Sequence, residues 1–355
     1  MINPFKKPIV IFGLNGAGKT NILEAISMLA PGRGFRRAKF SDLSRRPDLL
    51  GWKVSADLKI SGTSYEVCTS WDAISTRKVT IDGKPATQSE LGRLVRILWL
   101  TPQMDRIWLD GSAERRRFLD RIVSTLVMEH TENCIQYQKA LKQRNKLIKD
   151  RIFDSNWYDA VEFQMASYGS AIDLARQSVL SQIMEMQKKS TSAFPAADLN
   201  LVGTTYHSVQ EFKDALAASR TVDINAGRTL RGPHLSDLAS IYSEKAIDAK
   251  NCSTGEQKAL LISIIIATAK IQLEIFNTPP ILLFDEMSAH LDLQRRSLLY
   301  TELCDLGLQV FLTGTDISIF EELKTHAEFF RAQIDSNMTI CTKVDDISFQ
   351  KNNAS

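Results

Sequence analysis

Residues 9–26 read IVIFGLNGAGKTNILEAI. Four apolar residues run into a turn with three glycines and a lysine, and apolar residues at helical spacing follow. Gly13, Gly18, Lys19 and Thr20 match G-x-x-x-x-G-K-[ST], with a strand predicted before the turn and a helix after it. Leu14, Asn15, Gly16 and Ala17 complete the loop. Glycines let such a loop curl with its N–H groups inward, and the N-terminus of the following helix adds partial positive charge, so phosphate is favoured there. Lys19 is expected to reach β- and γ-phosphates, and the Thr20 hydroxyl to ligate Mg²⁺. Ile22, Leu23, Ile26 and Leu29 are expected to form the core face of the helix, which PGRG at 31–34 would end.

A second stretch, PPILLFDEMSAHLD at 279–292, is a continuous apolar run ending in two acids. Strands of parallel sheets, buried on both faces, read this way, and ligands gather at their carboxyl ends. Asp285 is expected to hold the metal through water, and Glu286 to orient and deprotonate an attacking water. A third stretch, NCSTGEQKALL at 251–261, puts small residues at the start of a long apolar helix. Ser253 and Gly255 make a second anion site there, and the economical reading gives it the γ-phosphate held by another subunit. A plain capping box, Ser with Glu three residues on, has the same sequence.

The chain has 355 residues, 24% charged and 44% hydrophobic, with a net charge of +3. Bulk charge therefore says little about nucleic acid, and local clusters must be read instead. Five scattered cysteines form no CxxC pair, which argues against a disulfide framework or zinc site and for a reducing, cytoplasmic setting. Lys6 and Lys7 interrupt any leader-like apolar run. The most apolar segment, ALLISIIIATA at 259–269, is too short for a bilayer and reads as a buried helix, so no membrane partner is expected.

WKVSADLKI, SYEVCTSWD and RKVTIDGKPAT alternate as half-buried strands, and IDGK has the Asp-Gly of a tight hairpin. A small antiparallel sheet is expected here. From about residue 111 to about 187 the pattern is helical and charged.

Together the three motifs resemble the heads of ABC ATPases. SAHLD at 288–292, ending in Asp292, resembles their D-loop, and Gln103 in LTPQMD resembles their Q-loop. The interval from Lys19 to Asp285 is longer than transporter heads use, and the hundreds of coiled-coil residues of SMC proteins are absent. GRGFRRA at 32–38, LDGSAERRRFLDRIV at 109–123, YQKALKQRNKLIK at 137–149, GRTLRGPH at 227–234 and VFLTGTD at 310–316 further resemble the RecF family. The resemblance covers nearly the whole chain. It implies an α/β fold: an ABC-type P-loop ATPase head with an inserted, mainly helical lobe. Residues 1–105 would be the first half of the ATPase core with the small sheet, 106–234 the helical lobe and connection, and 235–355 the second half.

The resemblance also implies function: a DNA-binding recombination mediator in replication and gap repair, using ATP and Mg²⁺ and supporting RecA loading and the SOS response. It would hydrolyse ATP weakly, dimerise with ATP, clasp duplex and gapped or single-stranded DNA, and work with RecR, RecO and RecA. The catalytic set would be Glu286, Lys19 and Ser253. The alternative is a nucleotide-dependent DNA scaffold with negligible hydrolysis. Three departures stand out. RecF chains usually begin with a strand and an NFRNY-like element, whereas eight residues precede Ile9 here, implying an upstream start codon or an incomplete sheet edge. Leu235 stands where the family has Arg after GPH. Thr313 and Thr315 occupy the region where ABC heads carry a switch histidine, implying slow hydrolysis.

Basic residues cluster three times: Arg33, Arg36, Arg37 and Lys39; Arg115, Arg116, Arg117 and Arg121; and Lys139, Lys142, Lys146 and Lys149. The last recur at three- and four-residue steps, so they share a helix face suited to duplex phosphates. The arginine triplet could touch phosphates or pair inside the protein with Glu114, Asp120 and Glu129.

Overall fold

Short apolar runs bounded by Gly, Pro and Asp become strands, and the long charged periodic runs become helices. The computed structural model describes residues 7–45, 50–60, 62–190, 192–206, 208–276, 278–286, 291–336 and 338–345. In chain order the elements are β1 (Ile9–Phe12), α1 (Lys19–Ser27), α2 (Phe40–Leu43), β2 (Trp52–Ile60), β3 (Thr63–Trp71), β4 (Lys78–Ile81), β5 (Lys84–Ala86), α3 (Gln88–Leu94) and β6 (Ile97–Leu100). There follow α4 (Ser112–Leu126), α5 (His130–Lys149), α6 (Ser155–Lys189), β7 (Ala197–Val202), α7 (Val209–Ala226), β8 (Asp237–Tyr242) and β9 (Ile247–Asp248). The chain ends with α8 (Thr254–Phe276), β10 (Ile281–Phe284), α9 (Leu293–Asp305), β11 (Gln309–Gly314), β12 (Glu328–Asp335) and β13 (Met338–Val344).

The chain divides into two units. The first comprises Met1–Asp105, Ser192–Phe194 and Leu261–Ser355; the second comprises Arg106–Thr191 and Pro195–Leu260. Residues 235–260, read from sequence as part of the ATPase core, group with the helical unit, so Ser253 and Gly255 belong to the second unit.

The first unit is built on a six-stranded sheet in the order β13-β12-β1-β11-β10-β6. All neighbours are parallel except β12 and β13. β1, β6 and the last three residues of β10 are wholly buried, as expected for strands covered on both faces. On one face, Ile9, Ile11, Ile97, Trp99, Leu283, Phe311 and Phe330 share a core with Leu23 and Leu29. Val67 and Val79 of the antiparallel sheet β2-β3-β4-β5 complete this core. The Asp82-Gly83 hairpin forms as read, with φ of 50° and 74°. Helix α1 stops at Ser27, short of the PGRG run, because i→i+3 bonds from Leu29 and Ala30 tighten its end. Leu29 is therefore buried beyond the helix rather than on it. The apolar run at 259–269 is part of the 23-residue α8, whose length and hydropathy would suffice for a membrane, yet 72% of that window is buried inside the protein.

The second unit packs α5, α6 and α7 around Tyr137, Leu141, Met165, Ile172, Phe212 and Leu216. It also holds an antiparallel sheet β7-β8-β9. Its interior contains charge. Arg144, 0% exposed, donates to Glu162 at 3.0 Å, Asp223 at 2.6 Å, Thr229 at 2.9 Å and the Leu216 carbonyl at 2.9 Å. Asn145 accepts from the Thr229 amide and hydroxyl, both at 2.8 Å. Tyr137 and His234 Nδ1 meet at 2.7 Å. The RecF-like runs at 137–149 and 227–234 are thus each other's packing partners. Removing one member of such a buried set costs about 3–5 kcal/mol, because the remaining charges stay desolvated.

The arginine triplet serves the same unit. Arg115 forks onto Asp237 with two bonds of 2.8 Å, Arg116 donates to the Ser236 carbonyl at 2.7 Å, and Arg117 pairs with Glu114. Arg115 and Arg116 pin α4 to the start of β8, so of the two readings of the triplet the internal one holds, with Asp237 and the Ser236 carbonyl as partners beside Glu114. Lys139, Lys142, Lys146 and Lys149 are all exposed on α5, as their spacing required.

Asp173 is the exception in this interior. Neither of its carboxylate oxygens accepts a hydrogen bond among the described residues, and Arg176 lies 3.9 Å away. Burial pushes its pKa up to about 6, from an ordinary 3.8. The folded state then holds the proton more tightly than the unfolded one, so stability falls as pH rises from about 4 to about 6 and is flat above. Asp173→Asn should remove this dependence. Relative to wild type, the variant should gain up to about 3 kcal/mol between pH 4 and pH 7 in urea unfolding. A stability difference that does not change with pH would contradict the assignment.

Candidate functional site

The strand order places the two acids beside the phosphate loop. β11 lies between β1 and β10, and all three run parallel, so Gly13, Gly314 and Asp285 emerge at neighbouring carboxyl ends. The Gly13 amide donates to the Gly314 carbonyl at 3.3 Å, and the Asp285 amide to the Leu100 carbonyl at 3.0 Å.

Two glycines in the loop are required by shape. A Cβ at Gly13 would lie 2.2 Å from the Ala332 carbonyl oxygen. Gly18 has φ of 89°, the left-handed region, and caps α1. Leu14, Asn15 and Gly16 are exposed at the loop's crest, and Ala17 is buried beneath it. Lys19 is only 4% exposed; its ammonium donates to the carbonyls of Gly13 at 2.8 Å and Leu14 at 3.1 Å, and lies 3.8 Å from Glu286.

The Thr20 hydroxyl donates to Asp285 Oδ1 at 3.2 Å, bridging residues far apart in sequence. The Thr313 hydroxyl donates to the same oxygen at 2.8 Å and accepts from the Glu286 amide at 2.9 Å. Glu286 has φ of 51°, a strained backbone for a side chain of its size. Thr20, Phe35, Arg36, Thr101, Pro102, Gln103, Asp285 and Glu286 line a cavity of about 220 Å³. A larger hollow of about 400 Å³ lies beside Trp52 and Trp71, but its Asp72 and Lys78 already pair with each other at 2.7 Å.

The wall of the smaller cavity is tied to the antiparallel sheet. Arg77, at the entrance to β4, donates to the carbonyls of Met28, Ala30 and Gly32 and so closes the C-terminal end of α1. Beyond it, the Phe35 amide donates to Ser27 and the Arg36 amide to Glu24, each at 3.0 Å. Burial raises the Glu24 carboxyl above the usual range; the Arg36 amide opposes this and the nearby Asp285 charge adds to it.

Of the residues singled out from sequence, the fold brings Lys19, Thr20, Asp285, Glu286 and Gln103 near one another. The residue pattern gives Phe35 no role, reads Arg36 only within a basic cluster, and places Thr313 only where a switch histidine would stand. A signal for Thr313 existed: it is a polar residue in the otherwise apolar VFLTG strand, level with the acids.

Asp292 caps α9, accepting from the Arg295 amide at 2.8 Å, and residues 287–290 of the D-loop run lie outside the described residues. Ser253, in the second unit, forms the capping box that its sequence also allowed. Its amide and hydroxyl both donate to Glu256 at 2.8 Å. Lys245 pairs with Glu256 and, with Ser253, holds that carboxyl down at about 2. Ser253 is exposed and Gly255 half-buried.

A phosphate loop and an Asp-Glu strand end separated by one strand, with an antiparallel sheet packed over the first helix, define an ABC-type ATPase head. No protein-family model matches the chain. The DNA replication and repair protein RecF of Rhizobium etli is 42% identical over 335 residues, 90% of each chain, and that of Brucella suis is 41% identical over 336 residues. A solved structure of the recombination mediator protein RecF with ATPrS, in the RecFOR pathway, superposes with a TM-score of 0.83 at 23% identity, covering 97% of this chain and 93% of that one. The chain belongs to the RecF family.

The strain at Glu286 has a measurable consequence. Glu286→Gly should raise the unfolding free energy by about 1 kcal/mol, since glycine adopts this φ without the side-chain penalty. Glu286→Gln should leave it within about 0.5 kcal/mol. Urea unfolding of the three proteins checks both.

Proposed function

We propose that this chain binds ATP at the Lys19 loop and serves DNA replication and gap repair as a recombination mediator. The observation that carries the reading is the meeting of Thr20, Asp285 and Glu286 at one cavity, with Lys19 3.8 Å from Glu286, although 265 residues separate Thr20 from Asp285. Triphosphate oxygens would take the place of the Gly13 and Leu14 carbonyls on Lys19, and the loop amides and the N-terminus of α1 would hold the rest. A hydroxyl and a carboxylate sharing one point are hard oxygen donors that suit Mg²⁺. Magnesium on Thr20 and Asp285 would neutralise charge on the β- and γ-phosphates. Gln103 lines the same cavity and would orient water. Glu286 would accept the proton of the water that attacks the γ-phosphorus, giving ADP and phosphate.

In this reading Ser253 and Gly255 face the γ-phosphate of a second copy, so ATP drives homodimerisation. The Glu256–Lys245 pair keeps the turn in shape before the partner arrives. The exposed lysines of α5 suit the phosphates of duplex and gapped or single-stranded DNA. The family resemblance supports RecR, RecO and RecA as partners, with RecA loading and the SOS response downstream, in the cytoplasm.

Lys19→Ala should abolish ATP binding in equilibrium titration, because backbone amides alone undercompensate the phosphate charge. Undiminished affinity would remove the nucleotide reading. If ATP binds and drives dimers without measurable turnover, the protein is a nucleotide-dependent scaffold rather than a working ATPase.

Ser253→Arg should spare ATP binding by the monomer and block ATP-driven dimers in light scattering. DNA affinity should fall with it, since two half-sites bind together by effective concentration. For wild type, four lysines on phosphates imply a log–log salt slope of about −3.6. Normal ATP-dependent dimers in the variant would exclude the action of Ser253 across the dimer, and salt-independent binding would exclude the α5 face.

A further inference from the structure

The hydroxyl of Thr313 touches both acids of the site and has no part in the reading above. Thr313 is 0% exposed and lies one residue beyond the Phe284–Leu312 pair of the parallel ladder, level with Asp285. On its other side it is registered with Ile11, in the strand that launches the phosphate loop. A hydroxyl has one hydrogen to give and lone pairs to accept with. Here the hydrogen goes to Asp285 Oδ1 at 2.8 Å and a lone pair takes the Glu286 amide at 2.9 Å.

We propose that Thr313 is a positioning residue that sets the metal-facing oxygen of Asp285 and locks the backbone of Glu286 in its strained, water-facing conformation. The inference rests on the nucleotide reading of this cavity. The two bonds do different work. Asp285 Oδ1 also receives the Thr20 hydroxyl, at the longer distance of 3.2 Å. When Thr20 turns to a metal, Thr313 is the donor that keeps the carboxylate from rotating. At Glu286, a left-handed conformation is costly for a non-glycine residue, and it persists only where its surroundings hold it. The bond from its amide to Thr313 is such a restraint. Without the hydroxyl, the half-buried Glu286 N–H and the buried Asp285 Oδ1 each lose a partner.

The bland alternative is a strand-end threonine that merely satisfies a buried amide, and the test must separate the two. Thr313→Val removes the hydroxyl at constant shape, Thr313→Ser keeps it, and Thr313→Ala serves should the valine variant melt early. ATP affinity is measured in EDTA, then as a function of Mg²⁺ concentration, and turnover is measured at saturating ATP. The valine variant should bind ATP in EDTA within about twofold of wild type, because the phosphate loop is untouched. Its Mg²⁺ midpoint should rise about tenfold and its kcat fall at least about tenfold, with the serine variant within about threefold of wild type on both. These outcomes follow from a lost metal-facing and base-positioning contact.

Valine and alanine variants that match wild type in Mg²⁺ midpoint overturn the proposal, as does a serine variant no better than valine. Equal loss of affinity with and without Mg²⁺ also overturns it, since that marks general damage to the loop. If wild type itself binds no ATP, the nucleotide reading fails and this proposal fails with it. Wild-type binding with an indifferent Thr313 sinks this proposal alone.

Discussion

One carboxylate oxygen, Asp285 Oδ1, joins the parts of the site. It accepts from Thr20 on the first helix and from Thr313 on the neighbouring strand, so it ties α1 and β11 to the end of β10. The sheet order makes this possible, because β11 is inserted between the loop strand and the acid strand. With β1 and β10 adjacent, the site would have no place for Thr313. The arrangement gives Glu286 a restrained backbone amide while its side chain remains free to face the cavity and Lys19.

The second unit uses charge differently. Arg144, Glu162 and Asp223 are fully buried and mutually satisfied, and Asn145 and Thr229 join the two RecF-like runs. Replacing such a set by apolar residues is often neutral in energy, so its value lies in geometry. The planar guanidinium fixes α5, α6 and α7 by direction as well as by distance. Asp173, by contrast, has no such network, and its raised pKa is the result.

Much of this was legible in the sequence. The phosphate loop, the apolar strand with Asp285 and Glu286, the Asp82-Gly83 hairpin and the lysine face of α5 each follow from spacing and residue type. What spacing could not settle was pairing. An arginine run such as 115–117 looks the same whether it meets phosphates or Asp237, and only tertiary placement distinguishes them. Ser253 reads both as a phosphate turn and as a helix cap, and the structure gives it the cap geometry. The end of α1 fell earlier than its apolar period suggested because carbonyls at 28, 30 and 32 are taken up by Arg77, from a distant strand. The resemblance marks Thr313 only as standing in the switch-histidine region; its partners come from another strand's end, which spacing does not show.

The position of β1 in the sheet bears on how the chain is made. β1 leaves the ribosome long before its neighbours in the sheet, β11 and β12. Ile9 pairs with Phe311 and Glu328. At about 5–20 residues per second, roughly 15–60 s pass before either edge of this apolar strand can be covered. During that time IVIF is a short, uncharged strand with two open edges. The helical unit, whose contacts are more local, can close first. A nascent chain stalled before residue 309 would therefore carry a folded second unit and an exposed β1, the form that holdase chaperones are suited to shield.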